Sequence, residues 1–162
     1  VRRGMGMIEL MMVLAILAVA TALALPSWGS DASVRTDAAA RLLRSDIEYA
    51  QVHSIANPDA PIGVVLAPDG TGYWLAQSGT PNTPIIRADN QEPYHVTFGE
   101  GRASFTAGVS ARVDNLTDGM LLFDALGGLS NPAADPSYHL SCDGNEVQMT
   151  VRAGTGFIRI HH

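Results

Sequence analysis

Residues 7–25 form a run of 19 positions that are apolar or small, interrupted only by Glu9 and Thr21. Coiled as a helix, such a run spans about 28 Å, close to the roughly 30 Å hydrocarbon core of a bilayer. It meets Pro26, and Ser27-Trp28-Gly29-Ser30 follow as a helix-weakening patch. Proline removes a backbone donor and bends a helix, which predicts a kink there, and Trp28 suits a membrane interface. Helical spacing returns over 31–56, where Ala39, Leu43, Ile47, Ala50 and Ser54 fall on one side. Arg41, Arg44, Asp46 and Glu48 take the remaining sides, with Arg44 and Glu48 an i,i+4 pair. Asn57-Pro58 ends the pattern. One long helix is therefore expected, apolar all round in its first half and amphipathic in its second.

Beyond Pro58 the period shortens to two and turn residues recur. Strands are expected at 62–66 and 73–76 around an Asp69-Gly70 turn, then at 94–98 after a polar, proline-containing loop over 78–92. One or two weak strands fall within 103–113, and another at 120–123 precedes the Gly127-Gly128 turn. Three closing strands follow at 138–142, 146–152 and 156–160. The fold class this order predicts is α+β: a long N-terminal helix packed on a C-terminal antiparallel β-sheet domain.

Charge narrows the possible chemistry. Ten cationic residues, all arginine, stand against 16 acids, for a net charge of −6. A broad nucleic-acid footprint does not fit that balance. Arg152 and Arg159 lie on two closing strands expected to pair, with Arg102 and Arg112 as possible neighbours, and form the one candidate DNA contact. The five histidines fall in separate segments without zinc-ligand spacing. Asp69-Gly70, Asp114-Asn115 with Asp118-Gly119, and Asp143-Gly144-Asn145-Glu146 are short of a full calcium ligand series and read as turns. No nucleotide loop or nucleophile elbow is present. No enzyme, cofactor or metal site is therefore expected. Cys142, the single cysteine, is expected to be buried in a strand.

Glu9 remains unexplained by a plain anchor, because an acid in an apolar helix costs up to about 3.5 kcal/mol at mid-membrane. A secretory signal cut after Ala22-Leu23-Ala24 would use Arg2 and Arg3, but its apolar run is normally shorter and free of acids. The segment Gly4-Met5-Gly6-Met7-Ile8-Glu9-Leu10, continued by Met11-Met12-Val13-Leu14, resembles the prepilin signal of type IV pilins and type II secretion pseudopilins. The resemblance implies cleavage between Gly4 and Met5, methylation of Met5, Glu9 as the fifth mature residue and Pro26 as the twenty-second. Met5 replaces the commoner phenylalanine. Glu9 would then compensate the positive N-terminus of a neighbouring subunit in a filament. The order of later elements, with Phe123 ahead of Gly127-Gly128 and Thr155-Gly156-Phe157-Ile158-Arg159-Ile160 at the close, is similar to the GspH/FimT group of minor pilins and pseudopilins. Gln51 departs from that group's usual arginine, and Ser54 from its usual alanine.

The implied organisation is a leader at 1–4, a transmembrane and filament-core helix at 5–26, its amphipathic continuation at 27–57, and a β-rich domain at 58–162. The implied role is that of a minor pseudopilin or pilin in a type II secretion pseudopilus or type IV pilus. It would sit in the bacterial inner membrane with its domain in the periplasm before joining the filament. Its partners would be prepilin peptidase, the inner-membrane assembly platform, other pilin subunits and, before assembly, membrane lipid. A DNA-binding minor pilin for uptake is the alternative, followed by a membrane-anchored or Sec-secreted β-domain.

Overall fold

The computed structural model describes residues 6–24, 31–130, 132 and 134–161; of Glu9 and residues 18–24 it describes the backbone only. Contacts divide the chain into two units, Val1–Ser30 and Asp31–His162. The described part of the first unit is the helix α1, Met7–Ala24. Its 18 residues reach about 27 Å. Among the described residues no helix is long and apolar enough to cross a membrane, so the span expected over 5–26 is not found as one. Gly4, Met5 and Pro26 lie outside the described residues.

The second unit is built on α2, Asp31–Ala56. Eight strands follow: β1 Ile62–Leu66, β2 Gly72–Gln77, β3 His95–Thr97, β4 Ser110–Asp114, β5 Met120–Leu122, β6 Ser137–Cys142, β7 Asn145–Val151 and β8 Ile158–His161. They form two four-stranded antiparallel sheets, ordered β3-β2-β1-β5 and β4-β6-β7-β8. The helix packs against β1 of the first sheet and against β6 and β7 of the second. Alternation along the strands decides what faces inward. Val64, Tyr73, Leu75 and Leu121 come from one sheet and Tyr138, Leu140, Met149 and Val151 from the other, all buried with Leu43 and Ile47 of α2. The α+β architecture expected from the sequence is the one observed, and the stripe Ala39, Leu43, Ile47, Ala50 and Ser54 is wholly buried.

Of the one or two strands expected within 103–113 one forms, β4, and the residues ahead of it make a 3₁₀ helix, Gly101–Thr106. Its turn is closed locally, since the Thr106 hydroxyl donates to the Ala103 carbonyl at 2.7 Å and the Gly99 N–H bonds the same oxygen. Short polar side chains that bond nearby backbone compete with strand pairing in this way. One expectation fails: Asp46, expected on the polar side of α2, is buried, 2% exposed.

Candidate functional sites

On α1 the side chains of Met7, Ile8, Leu10, Met11, Met12, Val13, Leu14, Ile16 and Leu17 are exposed. Fully burying each is worth roughly 1.5–3 kcal/mol. A row of that size marks a surface made to be covered by lipid or protein. Glu9 occupies the third position of this helix.

Inside the second unit lies a polar cluster. Arg102 of the 3₁₀ helix reaches Asp46 with Nη2 at 2.5 Å from Oδ1 and 2.7 Å from Oδ2. Tyr73 of β2 donates its hydroxyl to Asp46 Oδ2 at 2.6 Å, and Tyr94 donates to Oδ1 at 2.9 Å. Arg102 Nη1 donates to Tyr94 Oη at 3.0 Å, and Arg87 covers the Tyr94 ring at 4.6 Å. Burial, reinforced by the Asp46 charge, pushes the Tyr73 phenol well above its ordinary range, and Tyr94 rises chiefly through burial. Burial alone would lower the Arg102 guanidinium, but hydrogen bonds to Asp46 and Tyr94 hold it above its usual value. A buried carboxylate with this many donors is fully satisfied and ties α2 to β2, to the start of β3 and to the 3₁₀ helix. The spacing 39, 43, 46, 50 is itself helical, so Asp46 stands on the buried stripe; that signal was available in the sequence and its polarity hid it.

The two departures on α2 have uses of their own. Gln51 Nε2 donates to the carbonyls of Gly127 at 2.7 Å and Thr155 at 3.1 Å, binding two turns to the helix. Gly156 takes φ +66°, and a Cβ there would overlap the Gln51 side chain and the Gly127 carbonyl. Ser54 Oγ donates to the Ile62 carbonyl at 3.0 Å and accepts from the Ile62 N–H at 3.2 Å, fixing the start of β1.

No protein-family model matches the chain, and no curated protein matches it. Among solved structures it is similar to the minor pseudopilin EpsH from the type 2 secretion system of Vibrio cholerae. The TM-score is 0.52 at 11% identity, over 78% of this chain and 96% of that one. The fold is that of a type IV pilin or pseudopilin.

On this pilin-like domain the four arginines do not gather. Arg102 is held by Asp46, and Arg112 pairs with Asp114 at 2.9 Å and Glu146 at 3.6 Å. Arg152 and Arg159 do meet, lining with Phe157 and His161 a depression of about 240 Å³ that also contains Asp135. His139 lies between two acids, Nδ1 at 2.5 Å from Glu146 and Nε2 at 3.2 Å from Asp114. Asp69 caps its own turn: the Thr71 N–H and hydroxyl hold its carboxyl below the usual range. No group of three or more His, Cys, Asp or Glu suited to a metal occurs among the described residues. Cys142 is buried as expected, and burial, with Asp143 beside it, pushes its thiol up.

Proposed function

We propose that this chain is a filament subunit, a minor pseudopilin or pilin, assembled through its N-terminal helix. The observation that carries this reading is the joining of an apolar helix bearing Glu9 to a domain of pilin-like fold. The leader ends at Gly4, peptidase cuts before Met5, and Met5 is methylated. Before assembly α1 and its flanking residues lie in the bacterial inner membrane with the domain in the periplasm. The assembly platform then draws α1 from lipid into a bundle of neighbouring helices. Lipid tails are as apolar as leucine, so that transfer gains through packing and pairing rather than through dehydration. Glu9 supplies the pairing, because an acid in an apolar surrounding persists only beside a positive partner, here the N-terminus of a neighbouring subunit. The likeness to a type 2 secretion protein favours a secretion pseudopilus over a pilus.

Mass spectrometry of the protein from cells with active prepilin peptidase should find methylated Met5 at the N-terminus. A chain still carrying residues 1–4 would overturn the reading, as would cleavage after Ala24. Glu9→Ala should enter filaments far less than wild type, and Glu9→Asp should retain most incorporation.

A second reading, a DNA-uptake subunit, draws on the shared depression of Arg152 and Arg159. Two phosphate contacts would give a salt slope of only about −1.8 in log K against log salt. A gel shift insensitive to Arg152→Ala and Arg159→Ala would remove it.

A further inference from the structure

Tyr49 and His53 stand one turn apart on α2, and between them and the 77–88 segment lies a hollow of about 490 Å³. Ligand pockets run to roughly 300–1,000 Å³. None of the described residues lining it is an Asp, Glu or Arg. In a chain with 16 acids and ten arginines that neutrality sets it apart, and it contrasts with the depression at Arg152 and Arg159.

Its aromatic wall is fixed in advance. Tyr49 is 46% exposed, but its ring stacks on Tyr94 at 5.8 Å with 19° between the planes and meets His53 at 6.2 Å. Tyr94 is in turn held by Asp46, Arg102 and Arg87. The polar cluster thus braces a ring that is still nearly half exposed. The polar groups around the hollow are unpaired. His53 Nδ1 is buried without a hydrogen-bond partner among the described residues, an exception in a folded protein. Gln77, Thr80 and Thr83 are exposed, and their side chains bond to nothing among the described residues.

These features select a ligand. An anion or a cation would find no opposite charge in the lining. A wholly apolar ligand would shut the His53 nitrogen and the hydroxyls away from water unpaired. A peptide adding as a strand needs free backbone donors, whereas the N–H groups of Thr80, Thr83 and Ile85 already pair with the carbonyls of Gln77, Thr80 and Leu75. A saccharide offers what remains. Its hydroxyls both donate and accept, matching imidazole, amide and hydroxyl. Its C–H bonds suit the negative face of an aromatic ring.

We propose that the hollow binds a neutral saccharide, with one sugar ring packed on Tyr49 and its hydroxyls bonded to His53, Gln77, Thr80 and Thr83. The site lies wholly within the second unit and requires no filament.

Titration of the isotope-labelled full-length chain with maltotriose and with triacetylchitotriose, in a detergent lacking a sugar headgroup, tests it. At least one of the two should bind with a Kd of about 1 mM or tighter, moving the amide signals of residues 49–53 and 77–88. Trigalacturonate, a charged trisaccharide, should bind at least ten-fold more weakly. Tyr49→Ala should weaken binding at least ten-fold and Thr83→Val at least three-fold, with circular dichroism spectra unchanged. Tyr49→Phe, which keeps the ring, should bind within two-fold of wild type. Should Tyr49→Ala alter the fold, Thr83→Val carries the test. Signals that stay in place with both neutral sugars would overturn the proposal. So would undiminished binding by the Tyr49→Ala and Thr83→Val variants, or equal binding of trigalacturonate or of capped tetraalanine. Each of these failures leaves the Met5 mass-spectrometric test of the filament reading unaffected.

Discussion

Asp46 and Glu48 stand two residues apart on α2 and live in different media. Glu48 faces water and is paired to Arg44 at 2.8 Å on the same helix, with both side chains nearly half exposed. Asp46 is buried under Arg102, Tyr73 and Tyr94, drawn from segments up to 56 residues away. In the first pair the partner is dictated by helix spacing and water screens the attraction. In the second the partners are dictated by tertiary structure, and each removes a donor or acceptor that would otherwise be stranded in the core. The identity of a carboxylate thus says little about its weight; what surrounds it decides.

The strongest way to break that contrast is Asp46→Ala. It leaves the Arg102 guanidinium and two phenols short of their acceptor, a situation that costs about 3–5 kcal/mol. Urea denaturation of the variant should show the loss in its midpoint. A cost below about 1 kcal/mol, the upper end for an exposed ion pair, would place Asp46 in the same class as Glu48.

The sequence made one half of this comparison readable. The i,i+4 spacing of Arg44 and Glu48 needs no knowledge of the fold, and the apolar stripe of α2 and the span of β1, Ile62–Leu66, follow from local periodicity in the same way. The Asp46 cluster was not readable as a cluster, because Tyr94 and Arg102 lie 48 and 56 residues along the chain, beyond the reach of local periodicity. The Gln51 clamp shows in the sequence only as an unusual residue, since its two carbonyl acceptors lie 76 and 104 residues along the chain. Of α1 the reverse holds. Its apolar character and its acid were plain in the sequence, and the helix Met7–Ala24 follows from that run alone.

Gln51→Ala sharpens the contrast with a neutral group. Two carbonyls lose their donor, at a cost of about 1–3 kcal/mol. The loss should show both in the denaturation midpoint and as faster amide exchange at 126–128 and 155–157. Unchanged exchange in those turns would mean that the glycine conformations hold them without the clamp.

Alkaline pH probes the buried side from another direction. The folded Tyr73 phenol releases its proton well above the ordinary value of 10.0. The unfolded chain loses that proton first. Stability from this group is therefore complete below pH 10 and declines as pH rises toward the folded value, by about 1.4 kcal/mol per unit. Tyr73→Phe should flatten the fall by that share in denaturation midpoints measured above pH 10. An identical slope in wild type and variant would mean that Tyr73 ionises as freely in the fold as outside it.

The smallest effect belongs to the exposed pair. Arg44→Ala, Glu48→Ala and the double variant form a cycle whose coupling should be about 0.2–0.5 kcal/mol, shrinking as salt is added. The corresponding cycle between Asp46 and Arg102 should give a coupling several-fold larger and nearly independent of salt, because a buried pair is shielded from mobile ions. Were the two couplings alike in size and salt response, burial would not be what separates the two carboxylates. The cause would then lie in the geometry of the Arg102 bonds alone, which Arg102→Lys isolates by keeping the charge and removing the planar fork.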